Sequence, residues 1–255
     1  MFDPCFSVFI RVLFVFQSSS MSQPNATLED LETILHEQEG CPICHYGRMS
    51  GRKYLDGVMY ESVNDFGLRQ RLVSNMGFCA FHSQEILTFP GAKLGAAIIE
   101  QAMLKEALRR MDATSPGRNS FFSRGGKNAP AAAAPDAASC PACQHERASE
   151  QRAIEDLLAH WDASWEGLLK KSGGMCFNHL VQALKIAPKP VGKTLKQMHA
   201  ELWREIIAQL DEFIRKQDYR FRDELISEEE AIASRRTIAI LTGEPRLVIS
   251  TKLTP

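Results

Sequence analysis

The sequence has little of several features on which common functions depend. Of its 255 residues only 8% are aromatic, and no loop of the G-x-x-x-x-G-K-[ST] type is present, which excludes a P-loop nucleotide site. The formal net charge is −1, so no overall field attracts nucleic acid or an acidic membrane surface. Hydrophobic residues make up 44% of the chain and charged residues 24%, which is typical of a globular protein.

A long uninterrupted hydrophobic run is also missing. The first twenty residues, "MFDPCFSVFIRVLFVFQSSS", contain a short apolar run that Asp3 precedes and Arg11 interrupts. This run lacks a basic leader and is too short to span a bilayer. We therefore interpret residues 1–24 as a non-native or disordered extension, with translation starting at Met21, and we expect a cytoplasmic protein. The alternative is an export signal or anchor.

The cysteines are the chemically informative residues. Of the seven, Cys5 stands apart and six fall in tight clusters beside histidines. A chain of this length does not need disulfide bonds to hold its core together, so clustered cysteines indicate metal binding in a reducing compartment. The clustered cysteines are Cys41, Cys44, Cys79, Cys140, Cys143 and Cys176.

The motifs around these cysteines occur twice. "CPIC" at 41–44 returns 99 residues later as "CPAC" at 140–143, and "GFCAFH" at 77–82 returns 97 residues later as "GMCFNH" at 174–179. Apolar residues with the i, i+3, i+4, i+7 spacing of an amphipathic helix also recur. These are Leu104, Ala107, Leu108 and Met111 in the first copy, and Trp203, Ile206, Ile207 and Leu210 in the second. The pattern predicts a duplicated helical unit.

Each copy contains a complete set of four metal ligands. A Cys-x-x-Cys pair supplies two thiolates from what we expect to be a tight loop, stiffened by proline, and Cys-x-x-His supplies two more ligands from a helix start. We predict one Cys₃His site within each unit, closed to substrate and therefore structural. The first set is Cys41, Cys44, Cys79 and His82, and the second is Cys140, Cys143, Cys176 and His179.

The motif "CPICH" is also compatible with functions other than zinc binding. Cys-x-x-Cys-His is the attachment motif of c-type haem, but Gln144 replaces His45 in the second copy, which argues against haem. A redox dithiol and an iron–sulfur cluster stay open. Two zinc ions are favoured by the ligand count and type.

The predicted fold is all-α, with two duplicated helical units, each stapled by a Cys₃His site, plus a C-terminal helix. Asp65 and Asp162 are expected to be helix N-caps, and Gly77 and Gly174 to reverse the chain with positive φ. The predicted segments are an extension at 1–24, unit 1 at 25–112, a linker rich in Ala, Pro, Gly and Ser at 113–139, unit 2 at 140–217, and a C-terminal helix and tail at 218–255.

Over about 27–245 the chain resembles an uncharacterised bacterial family, a domain of unknown function, with paired CPxC…GxCxxH units and a segment similar to "FIRKQDYRFRDE". The resemblance implies this architecture and no reaction. We expect a non-enzymatic zinc protein, a scaffold or regulatory module that binds another protein, with no clear nucleic-acid or membrane signal. Whether it is an enzyme stays open, and the alternatives are a redox sensor or oxidoreductase using the CPxC pairs, or an iron–sulfur protein.

Overall fold

The computed structural model describes residues 26–114 and 136–245, and these residues form helices and no strand. The first half contains α1 (Ala26–Glu37), α2 (Pro42–Gly57), α3 (Phe66–Asn75), α4 (Ala80–Ile86) and α5 (Lys93–Thr114). The second contains α6 (Pro141–Ala159), α7 (Ala163–Ser172), α8 (Phe177–Ile186), α9 (Lys189–Lys216) and α10 (Glu228–Thr242). The prediction of an all-α fold is confirmed.

The two aspartates cap helices as predicted. The carboxylate of Asp65 accepts a hydrogen bond from the Leu68 backbone N–H at 2.6 Å at the start of α3. Asp162 accepts hydrogen bonds from the Ser164 and Trp165 N–H groups at the start of α7. Each carboxylate satisfies backbone donors that have no partner within the helix.

Gly77 and Gly174, which follow α3 and α7, have positive φ as predicted, and each lies one residue beyond the C-cap. The C-cap residues are Met76 (φ 60°) and Gly173 (φ 96°), and Gly77 and Gly174 follow them with φ of 101° and 84°. The Gly77 N–H donates to Leu72 O and the Gly174 N–H to the equivalent carbonyl, which is a Schellman closure.

Helices α2 and α6 pack against each other along their length and run antiparallel. Near the middle of the contact, the hydroxyls of Ser50 and Ser149 lie 2.8 Å apart, and Arg152 donates to Ser149 Oγ at 3.0 Å. Ser149 is completely buried, and these hydrogen bonds satisfy its hydroxyl. The crossing joins the first half of the chain directly to the second.

Helices α9 and α5, which close the two halves, differ in how they are packed. Helix α9 begins at Lys189, and Pro190 in its first turn is compatible with a helix start. In α5, three residues of the predicted apolar stripe, Leu104, Leu108 and Met111, are more than 60% exposed. Helix α10 packs along α9, whereas α5 contacts α3 and the π-helical turn at Val58–Ser62.

Several predictions concern parts of the chain that lie outside the described residues. These are the extension at 1–24 with Cys5, most of the linker at 113–139, and the tail after 245. Within 26–114 and 136–245, no helix is long and apolar enough to cross a membrane.

Replacing Gly174 with alanine tests the turn before α8. A Cβ there would lie 2.9 Å from His199 Nε2, and the φ of +84° is unfavourable for an L-residue. We expect Gly174→Ala to lower the free energy of unfolding by about 2–4 kcal/mol, measured by denaturant titration of metal-loaded protein.

The matched control is Gly167→Ala. Gly167 lies inside α7, and a Cβ at this position would meet no atom within 4 Å. This substitution should raise the free energy of unfolding by about 0.5–1 kcal/mol. Equal effects of the two substitutions would contradict the packing described for Gly174.

Candidate metal centres

Each of the six clustered cysteines lies at a helix N-cap or in the first turn of a helix. Cys41 and Cys140 are the N-cap residues of α2 and α6, with Pro42 and Pro141 in the first helical turn. The CPxC motif is therefore a helix start rather than the tight loop expected from the sequence. Proline is favoured here because its missing N–H would have no helical partner anyway.

The cysteine of each Cys-x-x-His motif is also an N-cap residue. Cys79 precedes α4 and Cys176 precedes α8, each with extended backbone dihedrals. The histidine three residues later, His82 or His179, then lies on the same face of the helix as the cysteine. This confirms the predicted helix start for Cys-x-x-His.

The structure brings the eight predicted ligands together in two groups. One group, the outer cluster, combines the CPxC pair of the first half with the Cys-x-x-His of the second. The other, the inner cluster, has the opposite combination. The outer cluster is Cys41, Cys44, Cys176 and His179, and the inner cluster is Cys79, His82, Cys140 and Cys143.

The predicted grouping of the ligands within each unit is wrong. Cys41 and Cys44 do not meet Cys79 and His82 but ligands more than 130 residues away. The physical reason is the antiparallel contact of α2 with α6, which places the N-terminus of each helix beside the other half of the chain. The ligand types and the count of four per group are as expected.

The outer cluster has short distances between its donor atoms. The Nδ1 atom of His179 lies 3.4 Å from the Sγ atoms of Cys41 and Cys44 and 3.3 Å from Cys176 Sγ. The Sγ atoms of Cys44 and Cys176 are 3.8 Å apart.

The inner cluster has the same arrangement. His82 Nδ1 lies 3.3 Å from the Sγ atoms of Cys79 and Cys143 and 3.5 Å from Cys140 Sγ. The Sγ atoms of Cys79 and Cys143 are 3.6 Å apart. All four residues are buried.

These distances fit a tetrahedral metal ion. With metal–sulfur bonds of about 2.3 Å and metal–nitrogen bonds of about 2.0–2.1 Å, the sulfurs of a tetrahedron are about 3.8 Å apart and lie about 3.6 Å from the nitrogen. The sulfur separations far exceed the ~2.05 Å of a disulfide bond, and all six cysteines are free. The two clusters could each hold one metal ion.

The thiol pKa values show that the clusters distribute negative charge unevenly. Hydrogen bonds from Cys143 lower the pKa of Cys140 to about 3, and hydrogen bonds from Cys41 and Cys44 lower that of Cys176. Burial raises the pKa of Cys41, and the hydrogen bond to the Cys140 thiolate raises that of Cys143. A cation bound between the sulfurs would favour ionisation of all three thiols of a cluster.

Each histidine directs its second nitrogen at a glutamate of α6. His82 Nε2 lies 3.1 Å from Glu146 Oε1, and His179 Nε2 lies 3.5 Å from Glu150 Oε2. A hydrogen bond from Nε2 to the carboxylate orients the imidazole ring so that its Nδ1 points toward the sulfur atoms. Sequence reasoning missed both glutamates.

The glutamates and thiolates also determine how these histidines titrate. Burial alone would lower the pKa of His82, but hydrogen bonds with Cys140 and Glu146 raise it to about 10. Burial likewise opposes the charged form of His179, and hydrogen bonds with Cys176, Cys44 and Glu150 raise its pKa to about 12. Both clusters therefore favour a positive charge near Nδ1 of the histidine. A bound metal ion would supply this charge in place of the Nδ1 proton.

Two glycines of α2 provide the space for these glutamates. A Cβ on Gly47 would lie 2.5 Å from Glu150 Oε1, and a Cβ on Gly51 would lie 2.5 Å from Glu146 Cγ. In the sequence repeat, Gly47 and Gly51 are the counterparts of Glu146 and Glu150. At these two positions one copy has glycine and the other has glutamate, and this difference is the sequence signal that could have revealed Glu146 and Glu150.

Three ligands of the outer cluster, Cys44, Cys176 and His179, line a cleft. Cys44 is only partly buried, and the cleft beside it has a volume of about 490 Å³. Arg48 and Glu244 line this cleft, and Glu244 Oε1 accepts a hydrogen bond from the Cys41 N–H at 3.2 Å. The two clusters therefore share a ligand set but differ in access.

Paired substitutions test the grouping of the ligands. The double variant Cys41→Ala/Cys176→Ala damages the outer cluster alone, so it should keep about one metal ion per chain. Cys41→Ala/Cys79→Ala damages both clusters and should keep none. Elemental analysis of the purified variants measures this, and one ion retained by the second variant would indicate grouping within each unit.

Glu146 provides a second test. Replacing it with glutamine removes the charge beside His82 and should weaken metal binding at the inner cluster about 10–100-fold, measured by competition with a chelator. The control is Glu155→Gln, on the exposed face of the same helix. If both variants bind metal like the wild type, Glu146 does not orient His82.

Comparison with known proteins places the chain in a family. An uncharacterised 23.9 kDa protein in the xynA 3′ region of Caldicellulosiruptor sp. (strain Rt8B.4) is 35% identical over 69 residues. The match covers 27% of this chain and 33% of that protein, so the chain spans about a third of its relative's length. No solved structure matches the chain significantly. A sequence profile of DUF6062 matches residues 24–246, so the chain belongs to DUF6062, a family of unknown function.

Proposed function

We propose that the protein is a non-enzymatic, zinc-stabilised helical scaffold that holds two zinc ions and binds another protein. Zinc suits the proposal because Cys₃His sets with tetrahedral spacing are typical of structural zinc sites. Four protein ligands leave no position for a substrate at either ion. The function would then depend on the protein surface, whose structure the two ions would stabilise.

The observation that supports this most strongly is the exchange of ligands between the halves. Each cluster takes two ligands from the first half and two from the second, so each ion would join helices distant in sequence. Binding of a metal to such a site contributes directly to folding, because the site does not exist in the unfolded chain. Catalytic zinc sites commonly have three protein ligands instead.

Removal of the metal tests the structural role. Treating reduced protein with a strong zinc chelator should abolish cooperative thermal unfolding and most of the helical circular dichroism signal, because both metal-mediated connections between the halves are lost. Zn²⁺ added back should restore both signals. A metal-free protein that keeps its helical signal and melting temperature would contradict the proposal.

A second candidate, a thiol-based redox sensor, is favoured by the partial exposure of Cys44. Cys44 and Cys176, with Sγ atoms 3.8 Å apart, would lose two electrons and form a disulfide bond. Hydrogen peroxide would accept these electrons and, with two protons, leave as two water molecules. The loss of two thiolate ligands would release the metal ion from the outer cluster.

Variants that keep one cluster each test this candidate. Cys79→Ala/Cys140→Ala retains the outer cluster, and Cys41→Ala/Cys176→Ala retains the inner one. If the outer cluster is a sensor, peroxide should release its zinc at least about tenfold faster, followed with a colorimetric zinc indicator, because access governs thiolate oxidation. Equal rates of release would argue against the sensor.

A further inference from the structure

The two halves differ in how the groove beside their last long helix is filled. In the second half this groove lies between α9 and the turn that leads into α8. His199 and Trp203 of α9 contact each other there, with ring centroids 6.0 Å apart, and His199 is only 1% exposed. The groove is filled by side chains of the protein itself.

His199 makes two specific hydrogen bonds in that groove. Its Nε2 accepts from the Met175 backbone N–H at 2.8 Å, and its Nδ1 lies 2.7 Å from Leu195 O. Both contacts are satisfied when Nδ1 carries the proton and Nε2 does not. The imidazole therefore acts as an acceptor for the turn and as a donor to its own helix.

In the first half the equivalent groove is open. Glu100 stands at the position of His199 in the repeat, and Leu104 at that of Trp203. Both side chains are exposed, and a cavity of about 370 Å³ lies beside them. Its lining is mostly apolar and includes Phe78, Ile86 and Met103.

The wall of this cavity also contains a backbone donor without an acceptor. Phe78 is the counterpart of Met175, and among the described residues its N–H donates to no protein group. Phe78 as a whole residue is only 3% exposed. An unpaired buried N–H lowers stability, and a ligand that accepts from it gains the corresponding free energy.

We propose that this cavity binds a small aromatic nitrogen heterocycle of the azole class. The acceptor nitrogen of the azole would accept a hydrogen bond from the Phe78 N–H, as His199 Nε2 accepts one from the Met175 N–H. The aromatic body would occupy the apolar space that Trp203 helps to fill in the other half, and the azole N–H would face the Glu100 carboxylate at the mouth. The volume lies within the range of small-molecule sites in proteins.

The probe for this site is 4-phenylimidazole, added to the zinc-loaded full chain. Two-dimensional amide NMR should show shifts concentrated at residues 76–86 and 96–104, with a dissociation constant of about 0.1–1 mM, as expected for a ligand of this size. The comparison compound is 1-phenylpyrrole, which has a similar shape but no acceptor nitrogen. It should bind at least about tenfold more weakly.

Two variants of α5 locate the site. Leu104→Trp places at the cavity the indole found at the equivalent position of α9, and it should reduce 4-phenylimidazole binding at least about tenfold. Leu108→Trp is the matched control, because Leu108 is also exposed on α5 but does not line the cavity. It should bind the probe like the wild type. Elemental analysis of both variants should show unchanged zinc, which establishes that neither substitution damages a metal cluster.

Three outcomes would overturn the proposal. The first is the absence of localised shifts at probe concentrations up to several times the expected dissociation constant. The second is equal affinity for 1-phenylpyrrole, which would remove the role of the Phe78 N–H. The third is equal binding by the Leu104→Trp and Leu108→Trp variants, which would place the probe elsewhere. None of these results bears on whether the two clusters hold zinc.

Discussion

The antiparallel packing of α2 against α6 is the constraint on which the rest of the structure depends. Because each helix begins with a CPxC motif, this packing carries each cysteine pair away from its own half and toward the Cys-x-x-His of the other. The close contact is possible because Gly47 and Gly51 have no side chain, which leaves space for the side chains of Glu150 and Glu146. The ligand sets and the carboxylates behind them follow from one helix pair.

Much of the local structure could be predicted from the sequence because local rules decide it. Asp65 and Asp162 cap helices, a helix lies within the predicted C-terminal segment, and both clusters contain the predicted ligand types. The grouping of the ligands could not be predicted. Grouping within or between the halves satisfies the same count of three cysteines and one histidine, and only the tertiary contact of α2 and α6 distinguishes the two.

The role of Glu146 beside His82 also depends on tertiary packing, so the sequence alone does not predict it. A glutamate in a helix is usually a solvated surface residue, and sequence periodicity gives no reason to treat this one differently. Its burial depends on the glycine that faces it from a helix about a hundred residues away. Likewise, the exposed stripe on α5 is apolar in sequence, and its exposure follows from the position of α10, which packs along α9.

The exchange of ligands also has a consequence for how such a chain can arise. One unit of the predicted repeat carries a CPxC pair and a Cys-x-x-His, but with this geometry it cannot bring them to the same ion. Two separate copies related by a two-fold axis would complete both sites at once, as in an isologous homodimer. A chain with this exchange of ligands would correspond to such a dimer with its subunits joined end to end. Such joining frees each half to change alone, and a glycine in one copy can face a glutamate in the other.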